Sequence, residues 1–161
     1  MADTIREIII QDIMARLVEI TVDGGYNTDI GARVYRVRKM VDPEELPACV
    51  VWPQPETAEN GYGQLKCKMQ MRVEGIADFG TTNASVVAEK ILGDLKKCLL
   101  ARENETVSPS TGWSRSPDYI DSIIYTGGGT DEYPEEGALS VGTYATFEIT
   151  YYTKAEDPYT Q

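Results

Sequence analysis

Leu65-Lys66-Cys67-Lys68-Met69-Gln70-Met71-Arg72-Val73-Glu74 alternates apolar and polar residues without a break. A period of two sends successive side chains to opposite faces of an extended chain, so this stretch reads as a strand with one face in a core and the other polar. The rest of the sequence is read by how it covers that apolar face. Downstream, Thr81, Thr82 or Asn83 can cap a helix with the buried stripe Val87, Ile91, Leu95, Cys98 and Leu99, supported by Ala84 and Ala88 and ending near Arg102. Upstream, Ala48 to Trp52 is an apolar run between Pro47 and Pro53, too short for a helix and suited to a buried strand, with residues 54–63 as a loop.

Working outward, Thr4 caps an N-terminal helix whose apolar positions Ile5, Ile9, Ile13, Leu17 and Ile20 recur at three- and four-residue steps. Asp23-Gly24-Gly25 turns the chain, and residues 27–31 continue as a polar loop. Residues 33–40 read as a strand, ended by Asp42-Pro43-Glu44-Glu45. Residues 103–117 read as a Ser/Thr/Pro-rich loop around Trp113. They lead into a strand over 119–126, a glycine-rich acidic connection over 127–137, and a final strand carrying Val141, Ala145, Phe147, Ile149 and Tyr151 on one face. Residues 154–161 are expected as a short flexible tail. With no internal repeat and no linker composition, residues 1–161 read as one α+β domain: a mixed or mainly antiparallel sheet of about five strands covered by two helices, in the order α-β-β-β-α-β-β.

The sequence contains no histidine, which removes the commonest general base and metal ligand and every Ser-His or Cys-His nucleophile pair. Cys49, Cys67 and Cys98 lack CxxC spacing and sit in apolar patterns, so buried free thiols are expected. No window is apolar enough to span a membrane, and charges in Met-Ala-Asp-Thr-Ile-Arg argue against a secretory leader, which implies a cytoplasmic chain. Gly127-Gly128-Gly129-Thr130 lacks the Lys-Ser/Thr of a phosphate loop. The carboxylates Asp118, Asp121, Asp131, Glu132, Glu135 and Glu136 match no EF-hand spacing and read as a solvated surface. The hydroxyls between Ser108 and Ser116 have no activating base. No catalytic residue, metal ligand or cofactor is assigned.

Charge is more informative. Fifteen Lys and Arg against 26 Asp and Glu give a net charge of -11, which disfavours a grip on phosphate backbones. The distribution is uneven: Arg33, Arg36, Arg38 and Lys39 form a +4 segment, whereas residues 106–161 hold two basic and nine acidic side chains. Either this is an ordinary charged surface, or the basic strand of one subunit meets an acidic segment of a neighbour. Ten tyrosines accompany two phenylalanines, and Tyr144 and Tyr152 fall on the polar face of the last strand, which suits partly wet subunit contacts.

The N-terminal helix, Tyr26-Asn27-Thr28-Asp29-Ile30-Gly31 leading into Arg33-Val34-Tyr35-Arg36, and Asp42-Pro43-Glu44-Glu45-Leu46-Pro47 before a short apolar strand together resemble the tail-terminator (tail-completion) proteins of long-tailed bacteriophages. The resemblance spans roughly residues 4–153. It implies a non-enzymatic virion subunit that forms a ring, typically a hexamer, on the neck-proximal end of the tail tube, stops tube growth and presents a docking surface to the head–neck connector. Its partners would be further copies of itself, the tail tube protein and the connector, with assembly in the host cytoplasm. DNA would pass through the lumen unbound, and Asp131, Glu132, Glu135 and Glu136 would line that lumen or the ring edge, since like charge avoids adhesive phosphate contacts. Ring closure calls for free sheet edges or packed helices, and the two long strands over 65–73 and 141–151 are the candidates. Another neck or tail-tube subunit is the nearest alternative, and an acidic mimic of DNA that occupies a DNA-binding protein is a more distant one.

Overall fold

The computed structural model describes residues 2–100 and 119–161. Among them the order is helix, three strands, helix, two strands, an α+β fold around one mixed five-stranded sheet. The elements are α1 (Ile5–Leu17), β1 (Val34–Arg36), β2 (Ala48–Gly61), β3 (Gln64–Asp78), α2 (Ala84–Leu100), β4 (Ile120–Gly129) and β5 (Ser140–Lys154). The sheet order is β1-β2-β3-β5-β4, with β1 parallel to β2 and every other pair antiparallel. Residues 103–117, with Trp113 and the Ser108 to Ser116 hydroxyls, lie outside the described residues, as do Asp118 and the expected helix end at Arg102.

The alternating stretch is the centre of the molecule. β3 buries Cys67, Met69, Met71, Val73 and Ala77 on one face and leaves Lys66, Lys68, Gln70, Arg72 and Glu74 half-buried on the other. Antiparallel β5 places Val141, Ala145, Phe147, Ile149 and Tyr151 on the same buried face, and α1 and α2 cover it with Ile5, Ile9, Ile13, Leu17, Ile91, Leu95 and Cys98. Two glycines set how closely this layer lies. A Cβ on Gly75 would sit 2.4 Å from Ile91 Cγ2 and 3.0 Å from Ile30 Cδ1, and one on Gly128 would sit 2.4 Å from the Tyr144 carbonyl oxygen of β5 and 3.1 Å from Leu92 Cδ1 of α2. All three expected cysteines are free and buried.

Local chemistry sets the boundaries. Thr4 Oγ1 accepts from the Glu7 amide at 3.1 Å and starts α1. The helix ends at Leu17 instead of Ile20, because the amides of Glu19 and Ile20 bond back only three residues, to Arg16 and Leu17; Ile20 nevertheless stays buried. Asn83 starts α2 by accepting from the Ser85 amide at 2.9 Å.

The strand expected over 33–40 shrinks to three residues. Val37 takes φ 51°, and Arg38 and Tyr35 turn to Glu45 of the following 3₁₀ turn, at 2.7 and 3.1 Å. In the opposite direction, the expected short strand at Ala48 and the loop over 54–63 form one strand of 14 residues, interrupted by a bulge between Pro53 and Glu56. Cys49 and Val51 turn their backbone groups toward β1, so Pro53, next in that alternation, points its missing N–H at the open edge beyond β1. Tyr62-Gly63, at φ 27° and 83°, closes the hairpin as a two-residue turn. The triple glycine belongs to β4, so the acidic connection is 130–139. Residues beyond Lys154 fold back: the Ile5 amide donates to Pro158 O, and the Lys154 amide to Thr160 O.

Candidate interaction surface

The helices cover one side of the sheet; among the described residues the opposite side carries no helix. Its central rows are Lys66, Lys68, Gln70, Arg72, Glu74 and Ile76 from β3, facing Tyr152, Thr150, Glu148, Thr146, Tyr144 and Gly142 from β5. Most are half-buried by their neighbours alone. The row is stitched laterally, with Gln70 Nε2 donating to Glu148 Oε2 at 3.0 Å and Lys68 3.9 Å from Glu59. Ile124 of β4 stands on this side, 51 % exposed, and Trp52 of β2 pairs across to Arg72. Trp52 buries its indole N–H without an acceptor among the described residues.

Arg72 organises the end of this face near the β4–β5 connection. Its Nε donates to Glu74 Oε1 at 2.9 Å, another guanidinium nitrogen donates to Asp131 Oδ2 at 3.1 Å, and the group lies 3.8 Å above the Tyr144 ring. A planar cation serves two carboxylates while stacking on an aromatic face, a combination an ammonium cannot supply. The acidic loop is thereby drawn onto the sheet, helped by the Thr130–Thr143 hydroxyl contact at 2.8 Å. A cavity of about 200 Å³ lies there, lined by Arg72, Glu74, Asp131, Glu132, Thr143 and Tyr144 among others. Toward the hairpin end, two shallow depressions of about 320 and 330 Å³ meet at Gln64 and Tyr152.

The expected interface residues are therefore divided. Tyr144 and Tyr152 share the open face, eight residues apart on β5, and Asp131 and Glu132 line the cavity beside Tyr144. Glu135 and Glu136 are exposed farther along the loop. The basic segment sits across the sheet at β1, and much of its charge is answered within the chain. Arg36 holds Glu7 at 2.7 Å, Arg38 holds Glu45 at 2.7 Å, and Arg33 donates to Glu45 O at 3.3 Å; Lys39 is exposed. Hydrogen bonding from Arg36 holds the Glu7 carboxyl below its ordinary value, outweighing the opposing effect of burial, with Gln11 adding a further hydrogen bond that lowers it. The strands expected to close a ring, β3 and β5, are interior: β3 lies between β2 and β5, and β5 is paired with β4 over Tyr144–Tyr151, so neither offers a long free edge among the described residues. Edges remain on β2 beyond its three paired residues with β1, and on β4.

Sequence reading overlooked Asp94. This fully buried carboxylate on α2 accepts from the Asn27 amide at 3.0 Å, the Asn27 side chain at 3.2 Å, and both the amide and hydroxyl of Thr28 at 2.7 Å. Its signal was present: three residues after Ile91 and one before Leu95, it lies on the helix stripe that faces the core. Glu56 falls within the loop expected over 54–63, yet it lies on β2 and accepts from Arg6 at 2.8 Å and from the Tyr151 hydroxyl at 2.6 Å, tying α1 to the sheet. Among the described residues, no cluster of three or more His, Cys, Asp or Glu is arranged to hold a metal ion, and no helix is long and apolar enough to cross a membrane.

The geometry thus defines an α+β domain with one sheet face under helices and the other polar, aromatic and open among the described residues. Comparison with protein-family models and with curated proteins finds no match for the chain.

Proposed function

We propose that this chain is a ring-forming structural subunit, a tail terminator that caps the tail tube of a long-tailed bacteriophage and meets the head–neck connector. The observation that carries the reading is the uncovered sheet face, where Tyr144, Tyr152, Trp52 and Ile124 are interleaved with Arg72, Lys66, Lys68 and Glu148. Aromatic and arginine side chains with a polar surround are the composition of protein–protein contacts, and they require no bound cofactor. Exposed Glu132, Glu135 and Glu136 next to that face suit a lumen through which DNA slides, because they repel phosphate. Ring assembly, tube capping, the virion-tail location and a non-enzymatic role stand together as one reading.

The deciding measurement is the mass in solution with and without purified tail tubes, paired with negative-stain images. Discrete single rings that bind tube ends are expected. Long tubes formed by the protein alone would make it a tube subunit, and a stable monomer that never binds a tube end would end the proposal.

A further inference from the structure

Resting on the ring reading, we propose that copies of this chain join edge to edge, residues 122–125 of β4 in one copy adding antiparallel to residues 56–59 of β2 in the next. β1 covers β2 only at Cys49, Val50 and Val51. Beyond the bulge, β2 continues through Gly61 with β3 on one side and, among the described residues, no strand on the other. The boundary of this free run is guarded: Pro53 and Pro55 stand before it, and Arg6 donates to the Gln54 carbonyl at 2.8 Å. From Glu56 onward no backbone group on the outer edge has a hydrogen-bond partner among the described residues.

The two-residue turn tells which groups face outward. Gly61 and Gln64 flank it and exchange bonds with each other, so hydrogen-bonded pairs recur at Glu59–Lys66 and Thr57–Lys68. The N–H and C=O of Glu56, Ala58 and Asn60 consequently point away from β3. Carrying the same alternation through β5, Ser122 and Ile124 bond to Thr150 and Glu148, leaving the backbone groups of Ile123 and Tyr125 outward on the far edge of the sheet. β2 and β4 run in opposite directions, because three antiparallel steps separate them. A neighbour related by a rotation that keeps its sheet continuous therefore presents β4 antiparallel to β2, a heterologous contact able to close a ring.

One register satisfies both edges. The run of β4 between its bulges, near Asp121 and Thr126, matches residues 56–59, with Ala58 opposite Ile123 and Glu56 opposite Tyr125. Each of these pairs exchanges two backbone bonds. Their side chains lie on the helix-covered face in both copies, so the helical layer also continues across the joint. On the open face, Thr57 meets Ile124 and Glu59 meets Ser122, which covers the exposed Ile124 and keeps Glu59 away from Asp121.

A disulfide test reads this register directly, since directly opposed residues of a non-hydrogen-bonded pair bring their Cα atoms within disulfide reach and the native thiols are buried. In the Thr57→Cys/Ile124→Cys double variant, mild oxidation of assembled protein is expected to give a ladder of covalently joined subunits, with neither single variant cross-linking. Rings of unchanged mass that fail to cross-link would overturn this joint and leave the ring reading standing; a protein that stays monomeric and binds no tube end even when tail tubes are present would overturn both. Cross-linked dimers from Thr57→Cys alone would replace the joint with a symmetric β2–β2 contact. Independently, Ala58→Pro removes an outward N–H that β3 does not use, and is expected to give folded monomers; persistence of rings would refute the joint. In the unmodified protein, the Ala58 and Ile123 amides should exchange with solvent about 100-fold more slowly in rings than in diluted monomers. Equal exchange rates would refute it even if the proline variant failed to fold.

Discussion

Asp94 shows how one side chain sets the position of a loop. Four donors from Asn27 and Thr28 converge on its carboxylate, and all of them lose their acceptor if it is removed. Asp94→Ala should cost about 3 kcal/mol in a urea titration, and Asp94→Asn nearly as much, because an amide turns an NH₂ toward groups that are themselves donors. Glu7 behaves differently because its pair with Arg36 is open to solvent. Its carboxyl is held below the ordinary 4.5, so its stabilisation is fully present above that value and fades as pH falls through the lowered one. Glu7→Gln should therefore destabilise by about 0.5 kcal/mol at neutral pH. The difference from the parent should vanish as the solution is acidified below the carboxyl range, and a difference that persists there would remove the ion pair as its cause.

At the scale of elements, the alternation over 65–74 was enough to identify β3 because period two forces one face into the core. The same logic failed for β2. Its second half, Pro55-Glu56-Thr57-Ala58-Glu59-Asn60, is polar with no apolar face to read, and it is a strand because β3 pairs with it from Glu56 to Gly61. Residues 37–40 erred the other way, with local β propensity yielding to Glu45, which draws Tyr35 and Arg38 aside. Packing between elements is equally sensitive. Gly75→Ala would force a methyl against Ile91 and Ile30, lifting α2 from the sheet; an overpacking cost of about 2 kcal/mol is expected in thermal or urea unfolding.

For the whole molecule, one core joins both helices to the sheet, and the three thiols report its integrity. Cys49 and Cys98 are 0 % exposed and Cys67 4 %; burial, foremost among several influences, pushes the Cys98 thiol up to about 12 and raises the other two. A thiol reagent at neutral pH should label none of them in the native state and all three in urea, with the labelling midpoint matching that of circular dichroism. Labelling of a single cysteine without denaturant would reveal local opening. The charge asymmetry along the chain also has to be weighed at this scale: with Arg36 and Arg38 paired internally, Lys39→Glu is the clean reversal, because it changes a surface charge without breaking an ion pair.

What the sequence determined by itself was the layering: the order of elements, the α+β class, the buried cysteines and the polar side of β3 and β5, all of which follow from periodicity and capping within a few residues. Tertiary structure decided which edges are free, which charges are already answered and which carboxylate is buried. Those depend on partners 29 to 95 residues away, as in Arg36 with Glu7, Asp94 with Asn27, and Glu56 with Tyr151. A strand edge is free only relative to what lies beside it. The stretch over 65–74 therefore defined a two-faced strand, while only its neighbours could place that strand in the middle of the sheet and leave the edges to β2 and β4.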